Sequence, residues 1–224
     1  MAENALHLFD FEGHGQSPTS PLSNITISSL AADLKNFFHN AGIVSESDAT
    51  LFAHWMGCIV AIKFILEKPK LVKRLVLVSP SPIPLPEAAS KNNKARATLV
   101  RKRAMAAVVD AIVGAGTSAK TQSDNGLAVS AVRMSLLARD QEGYAKACGA
   151  LAGATEALDL SAVPAETLIV TGAEDKVSPP ALCQGYSEKV KNGRGVVVLK
   201  DVSHCHVFED VQGVANSLKA FSEA

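Results

Sequence analysis

The feature that constrains the fold most is an alternation along the chain between short apolar runs and longer amphipathic stretches. The apolar runs are rich in β-branched and aliphatic residues, as in RLVLV at 74–78 and ETLIVT at 166–171, and such runs are typical of buried strands. The longer stretches place apolar residues at helical spacing. Strands that alternate with helices form a parallel sheet covered by helices. We therefore predict one doubly wound, mostly parallel α/β domain.

The pattern also predicts where the elements lie. Strands are predicted at residues 5–10, 49–53, 74–78, 166–171 and 196–199. Helices between them are predicted at residues 25–41, 56–68, 180–191 and 207–222. From residue 79 to about 163 we predict only helices, because a Pro-rich segment leads there into Ala-rich, charged sequence. This divides the domain into a first core part (1–80), a helical insertion (81–163) and a second core part (164–224).

Composition excludes several classes of function. Lys plus Arg equals Asp plus Glu at 22 each, so no basic field attracts nucleic acid or an anionic membrane. The four cysteines are scattered without CxxC spacing, which favours free thiols in a reducing compartment over disulfides or a metal site. The start MAENALHLFDFEGHG has no basic region followed by an apolar stretch, and no uncharged apolar run approaches about 18 residues, so we expect neither a signal peptide nor a membrane span. We expect a cytoplasmic protein without metal or cofactor, and leave its oligomeric state open.

Two turns carry the residues that point to chemistry. The segment AHWMG at 53–57 lies where an apolar strand ends and a helix begins, which is the setting of the G-x-S-x-G nucleophile elbow, with Trp55 at the central position. TGAED at 171–175 and VSHCH at 202–206 each follow a later strand. The carboxyl ends of parallel strands are where open α/β sheets place their active sites.

Taken together, four segments resemble the α/β-hydrolase family, and within it the esterase and lactonase branch that includes 3-oxoadipate enol-lactonases. They are DFEGHGQS at 10–17, AHWMGC at 53–58, VTGAEDKVSPP at 170–180 and VSHCHVFED at 202–210. The resemblance implies that Asp175 is the triad acid, that His204 is the triad base, and that residues 81–163 form a helical cap over a pocket for a small ester or lactone. Glu174 is the rival acid and His206 the rival base; we expect Glu174 to face solvent and His206 to begin the last helix.

The sequence departs from this family at the nucleophile. In an intact member a serine oxygen attacks the carbonyl while the histidine takes its proton, but the indole of Trp55 has no nucleophilic oxygen or sulfur. Loss of the serine from an intact triad lowers turnover about 10⁶-fold. We therefore expect serine-type catalysis to be absent and the indole to fill part of the pocket.

A second departure concerns the first strands. The family usually runs through three strands and an oxyanion-hole loop before the segment that matches residues 5–17. Only the N–H after the nucleophile, here that of Met56, is then expected to serve as an oxyanion donor, and a lost donor costs about 10²- to 10³-fold in rate. Without the family's third strand, residues 5–10 and 49–53 must pair directly, or one must form an exposed edge. An incomplete reading of a longer gene would also explain the short beginning.

Other readings stay open at this point. Cys58 and Ser17 are possible substitute nucleophiles. We expect Cys58 to be a buried, unreactive thiol and Ser17 to be a turn residue. We also expect His14 to have a structural role. The segment GAGTSAK at 114–120 resembles a phosphate-binding loop only superficially, because it has no GK[ST] ending. The alternative to an inactive protein or binding module is a hydrolase in which His204 activates water directly.

Overall fold

The computed structural model describes residues 5–222 and contains a parallel sheet with the strand order β1-β2-β3-β4. The strands are Thr50–His54 (β1), Arg74–Val78 (β2), Glu166–Gly172 (β3) and Gly193–Leu199 (β4). In the register, Ala53 lies beside Leu77, and Leu77 lies beside Ile169. The predicted parallel sheet is confirmed, and its carboxyl ends meet at one edge.

The helices lie between and after these strands. In chain order they are Ile27–Asn40 (α1), Met56–Glu67 (α2), Glu87–Arg103 (α3), Ala106–Gly116 (α4), Ala119–Asp124 (α5), Gly126–Leu137 (α6), Gln141–Ala152 (α7), Pro180–Lys189 (α8), His206–Glu209 (α9) and Val211–Ser222 (α10). No helix within residues 5–222 combines the length and the hydropathy that crossing a bilayer requires.

The central strands β2 and β3 are buried on both faces, as their continuous apolar sequences predict. On β2, Leu75 and Leu77 belong to a large apolar cluster that also contains residues of α1, α2 and α8. Val76 and Val78 belong to a second cluster with residues of α10. Alternate side chains of one strand thus enter opposite cores, because successive side chains point to opposite faces. The sheet is doubly wound.

Residues 79–165 contain helices α3–α7 and one 3₁₀ turn, Leu160–Ala162, and they contain no strand. Helix α3 packs along α7, and α4 packs on α6. Some of their apolar contacts form small clusters among these helices, whereas Ala150 and Leu151 of α7 belong to the first sheet core. The helical character of this insertion agrees with the sequence, and its function as a cap stays a prediction.

One predicted strand is wrong, because residues 5–10 form no strand. Leu6 and Leu8 are 84% and 83% exposed, whereas Phe9 packs on Phe11 and Phe37. A strand needs a neighbour that pairs with its backbone, and within residues 5–222 no strand lies on the outer side of β1. An alternating apolar sequence is therefore not sufficient here. β1 forms an edge of the sheet, which is one of the two arrangements that the sequence left open.

The predicted helix at 207–222 is divided into α9 and α10 at Asp210. The Asp210 carboxylate accepts the N–H of Gly213 at 2.8 Å, and its carbonyl accepts the N–H of Val214 at 3.1 Å. An Asp that bonds the backbone three residues onward caps a new helix rather than continuing the old one. His206 consequently begins the short α9 and not, as predicted, the last helix.

Candidate active site

Trp55 lies at the tip of a sharp turn between β1 and α2. Its backbone has φ 52° and ψ −117°, and a positive φ in so bulky a residue marks backbone strain. The Trp55 N–H donates to the Val78 carbonyl at 3.1 Å, which ties the turn to β2. The strand–turn–helix setting of the nucleophile elbow is therefore present, with an indole where a nucleophile is expected.

Asp175 and His204, predicted from separate segments, are in direct contact. The His204 Nδ1 lies 3.0 Å from Asp175 Oδ2, and Asp175 Oδ1 accepts the N–H groups of Val177 and Ser178 at 2.8 Å each. Burial raises the pKa of the Asp175 carboxyl, but its hydrogen bonds and the adjacent His204 outweigh this and hold the pKa well below its usual value. Asp175 is thus a buried, ionised acceptor.

Two more residues lie beside the acid: Ser79, which sequence reasoning did not assign to this site, and His206, which it named as the rival base. The buried Ser79 hydroxyl lies 2.6 Å from Asp175 Oδ2 and 2.9 Å from Nε2 of His206. Burial lowers the pKa of His206 to about 4, so this imidazole is neutral at pH 7. The signal for Ser79 was available, because it directly follows β2 at the same edge of the sheet. That His206 reaches Ser79 depends on the path of the last loop.

Aromatic rings surround His204. The indole of Trp55 packs perpendicular to its imidazole, with ring centroids 4.9 Å apart. On another side the His54 ring lies 5.0 Å from that of His204, and His54 Nε2 is 3.2 Å from the His204 carbonyl. Burial lowers the pKa of His54 to about 3. The indole therefore lies next to the imidazole, and that it fills part of a substrate pocket stays a prediction.

The loop that carries His204 is attached to the Gly-rich segment 114–120. Glu209 accepts the N–H of Ser203 at 3.0 Å with one oxygen and that of Ser118 at 2.6 Å with the other. The rival acid Glu174 is exposed, as expected, and accepts the N–H of Ala119 at 3.1 Å. The backbone N–H groups at the start of α5 are thus taken by carboxylates. The segment supports the histidine loop, and the phosphate-loop reading receives no support.

The remaining candidates occupy structural positions. Cys58 is fully buried, and burial raises the pKa of its thiol well above the usual value. The Ser17 hydroxyl donates to the Asp10 carbonyl at 2.9 Å, as a turn residue does. His14 lies in the same turn, with Nδ1 3.1 Å from the Glu12 carbonyl, and burial lowers its pKa. Among the described residues, none of these three side chains is hydrogen-bonded to Asp175 or His204.

Two cavities lie elsewhere. One of about 470 Å³ is lined by residues at the amino ends of β2, β3 and β4, and one of about 370 Å³ lies among α1, α2 and α7. Neither is lined by Trp55, Asp175 or His204. Within residues 5–222 no group of three His, Cys, Asp or Glu side chains is arranged to hold a metal ion.

The fold and sequence resemble known hydrolases. The family profile described as "Serine aminopeptidase, S33" matches residues 2–210. The structure is similar to that of a thermophilic esterase from Thermogutta terrifontis, with a TM-score of 0.89 and 22% identity over 96% of this chain and 78% of that one. An enol-lactonase from Burkholderia xenovorans LB400 gives a TM-score of 0.83 and 19% identity over 96% of this chain and 79% of that one. At these identities the likeness concerns the fold.

Two further proteins share shorter stretches of sequence. The chain is 30% identical over 80 residues, or 36% of its length, to a Saccharomyces cerevisiae protein named "Probable alcohol acetyltransferase". It is 38% identical over 73 residues, or 33% of its length, to the "sn-1-specific diacylglycerol lipase ABHD11" of Danio rerio. These stretches cover 23% and 22% of the two relatives, so the chain matches less than a quarter of either.

Proposed function

Because the chain belongs to the α/β-hydrolase family, we propose that it is a relative of carboxylic ester and lactone hydrolases in which Trp55 has abolished serine-type catalysis. The observation that carries this proposal is the position of the indole at the strained tip of the elbow, packed 4.9 Å from the ring of His204. A nucleophile would have to stand at that position to transfer its proton to the imidazole. Indole cannot attack a carbonyl, so this position offers no nucleophile to form an acyl-enzyme.

The rest of the machinery supports descent from an active enzyme. Asp175 and His204 keep the hydrogen bond of an acid–histidine pair. Within the described residues, the N–H of Met56 at the start of α2 has no acceptor, so it is free to act as the predicted oxyanion donor. A small ester or lactone is the expected ligand, held in place without being cleaved.

The second candidate function is hydrolysis by a non-serine route. One observation favours it: within residues 5–222, His204 Nδ1 bonds to Asp175 while Nε2 has no hydrogen-bond partner. A neutral imidazole with a free Nε2 is suited to take a proton from water as a general base. In this alternative Asp175 and His204 would activate water directly against an ester or enol-lactone carbonyl.

One experiment distinguishes the two candidates. The purified native chain is incubated with a fluorophosphonate probe and, separately, with p-nitrophenyl acetate, beside Trp55→Ser and His204→Ala variants. We expect the native chain to show neither labelling nor turnover above buffer. Labelling of Trp55→Ser would indicate that the acid–histidine pair is still competent. Saturable turnover by the native chain that disappears in His204→Ala would refute the inactive-hydrolase proposal and favour the water route.

A further inference from the structure

We propose that Ser79 and His206 are positioning residues that form a buried hydrogen-bond relay to Asp175 and hold its carboxylate toward His204. The inference rests on the function proposed above in one respect only, which is that Asp175 and His204 are the acid and base of the site. The relay joins three segments far apart in the chain, since Ser79 is 96 residues from Asp175 and 127 residues from His206.

The direction of each hydrogen bond follows from the donor inventory. An ionised carboxylate only accepts, so the single hydroxyl proton of Ser79 is donated to Asp175 Oδ2 across 2.6 Å. The Ser79 oxygen must then accept from Nε2 of His206 across 2.9 Å. A neutral imidazole carries one N–H, so His206 is the Nε2–H tautomer with an unprotonated Nδ1. Consistently, His206 Nδ1 is buried without a hydrogen-bond partner among the described residues.

The relay completes a cage around the carboxylate. Asp175 Oδ1 accepts two backbone N–H groups, and Oδ2 accepts the Ser79 hydroxyl and His204 Nδ1–H. Four donors in different directions prevent rotation of the carboxylate. Because Oδ2 is then a permanent acceptor at Nδ1 of His204, Nδ1 is the nitrogen that carries the proton in the neutral imidazole, and Nε2 is the nitrogen that can accept one. This is the tautomer that a general base requires.

The Ser79 turn is held by hydrogen bonds of the Ser79 backbone, so the Ser79 hydroxyl is not needed to hold it. Its φ of 46° lies in the left-handed region, which a serine adopts at an energetic cost. Its N–H donates to the Val170 carbonyl at 2.8 Å, and its carbonyl accepts the Ser178 hydroxyl at 2.9 Å. These bonds are made by the main chain and would hold the strained turn with any side chain. The Ser79 hydroxyl is therefore used only toward Asp175 and His206.

The test measures histidine tautomers in the native chain by long-range ¹H–¹⁵N NMR at pH 7, which needs no turnover. We expect His204 as the Nδ1–H tautomer and His206 as the Nε2–H tautomer. In Ser79→Ala the His206 tautomer should become mixed and the hydrogen-bonded Nδ1 proton of His204 should shift upfield. Ser90→Ala is the matched control, because it removes a buried serine hydroxyl that donates to the Ala152 carbonyl and has no hydrogen bond to Asp175, Ser79 or His206. The control should keep both tautomers.

A second variant pair covers the case in which Ser79→Ala fails to fold. His206→Gln places an amide N–H where Nε2 stands and should preserve the His204 signal, whereas His206→Leu should change it as Ser79→Ala does. If Trp55→Ser restores hydrolysis, adding Ser79→Ala should lower kcat about 10- to 100-fold at unchanged KM, which corresponds to one hydrogen bond to a charged group. An Nδ1–H tautomer of His206 in the native chain would overturn the relay, whatever the activity of Trp55→Ser.

Discussion

Replacing Asp175 with Asn should destabilise the protein by about 2–4 kcal/mol at pH 7. The amide oxygen can still accept the N–H groups of Val177 and Ser178. In the variant, however, the amide NH₂ group takes the place of Oδ2, which in the native chain accepts hydrogen bonds from Ser79 and His204. Each hydrogen bond to a charged group contributes about 1.5–3 kcal/mol. Part of the loss is recovered, because the hydroxyl can rotate and the imidazole can change tautomer.

The difference in stability between native chain and variant should shrink at low pH. The pKa of Asp175 is held below its usual value in the folded state, so the unfolded chain binds this proton first as the pH falls. The Asp175 carboxylate therefore makes its full contribution to the free energy of unfolding above the unfolded pKa of about 3.9, and this contribution declines below about pH 4. Asn has no such group, so the variant does not share this decline.

The assay is urea unfolding of both proteins from pH 7 down to pH 3.5, with the free energy of unfolding extrapolated to water. Glu174→Gln is the control, because this neighbouring carboxylate is exposed and accepts a single N–H, that of Ala119. It should change stability by no more than about 0.5 kcal/mol. A loss below 0.5 kcal/mol for Asp175→Asn at pH 7, or a difference that widens at low pH, would refute the reasoning.

Three further predictions concern the surroundings of the site. Burial lowers the pKa of His54 to about 3 in the folded protein, against about 6.5 in the unfolded chain, so its contribution to stability falls by about 1.4 kcal/mol per pH unit as the pH drops from 6 to 4. His54→Gln should reduce the slope of the free energy of unfolding against pH by that amount. An unchanged slope would contradict the buried neutral state of His54. Gly172→Ala should destabilise the protein by about 1–3 kcal/mol in urea unfolding, because the new Cβ would lie 2.2 Å from the Val202 carbonyl oxygen. In the control Gly185→Ala the new Cβ has nothing within 4 Å, so this variant should be neutral or stabilising. Equal losses of stability in the two variants would be inconsistent with the clash. Phe52 is 39% exposed on the edge strand β1, where a lysine would disfavour pairing with the edge of another molecule. Phe52→Lys should therefore reduce concentration-dependent light scattering. More scattering from the variant would count against edge pairing as the cause of association.

Much of the site could be predicted because it depends on strand ends. Asp175 and His204 follow β3 and β4, and Trp55 follows β1. In a parallel sheet these ends meet at one edge whatever the loops do. The predicted strand at 74–78 matches β2 residue for residue, since a continuous apolar run buried on both faces needs no help from its neighbours to be recognised.

Where the prediction was wrong, a partner or a competing hydrogen bond decided the outcome. Residues 5–10 have the alternation of a strand, but in the described part of the chain no strand lies beside them. Asp210 lies within a helical pattern but uses its carboxylate to cap Gly213 and so begins a new helix. A sequence pattern reports what a segment can form alone, and neither the missing neighbour nor the capping bond is visible in it.

The sequence by itself determined the class of fold, because the hydrophobic period is a property of short windows of residues. It also placed an indole, that of Trp55, at the turn where we expect the nucleophile of this family. Only the tertiary structure decided that Ser79 and His206 join Asp175 while Glu174 turns to Ala119. Hydrogen bonds act over about 3 Å, and the loops that bring such groups together are set by packing between residues roughly a hundred positions apart.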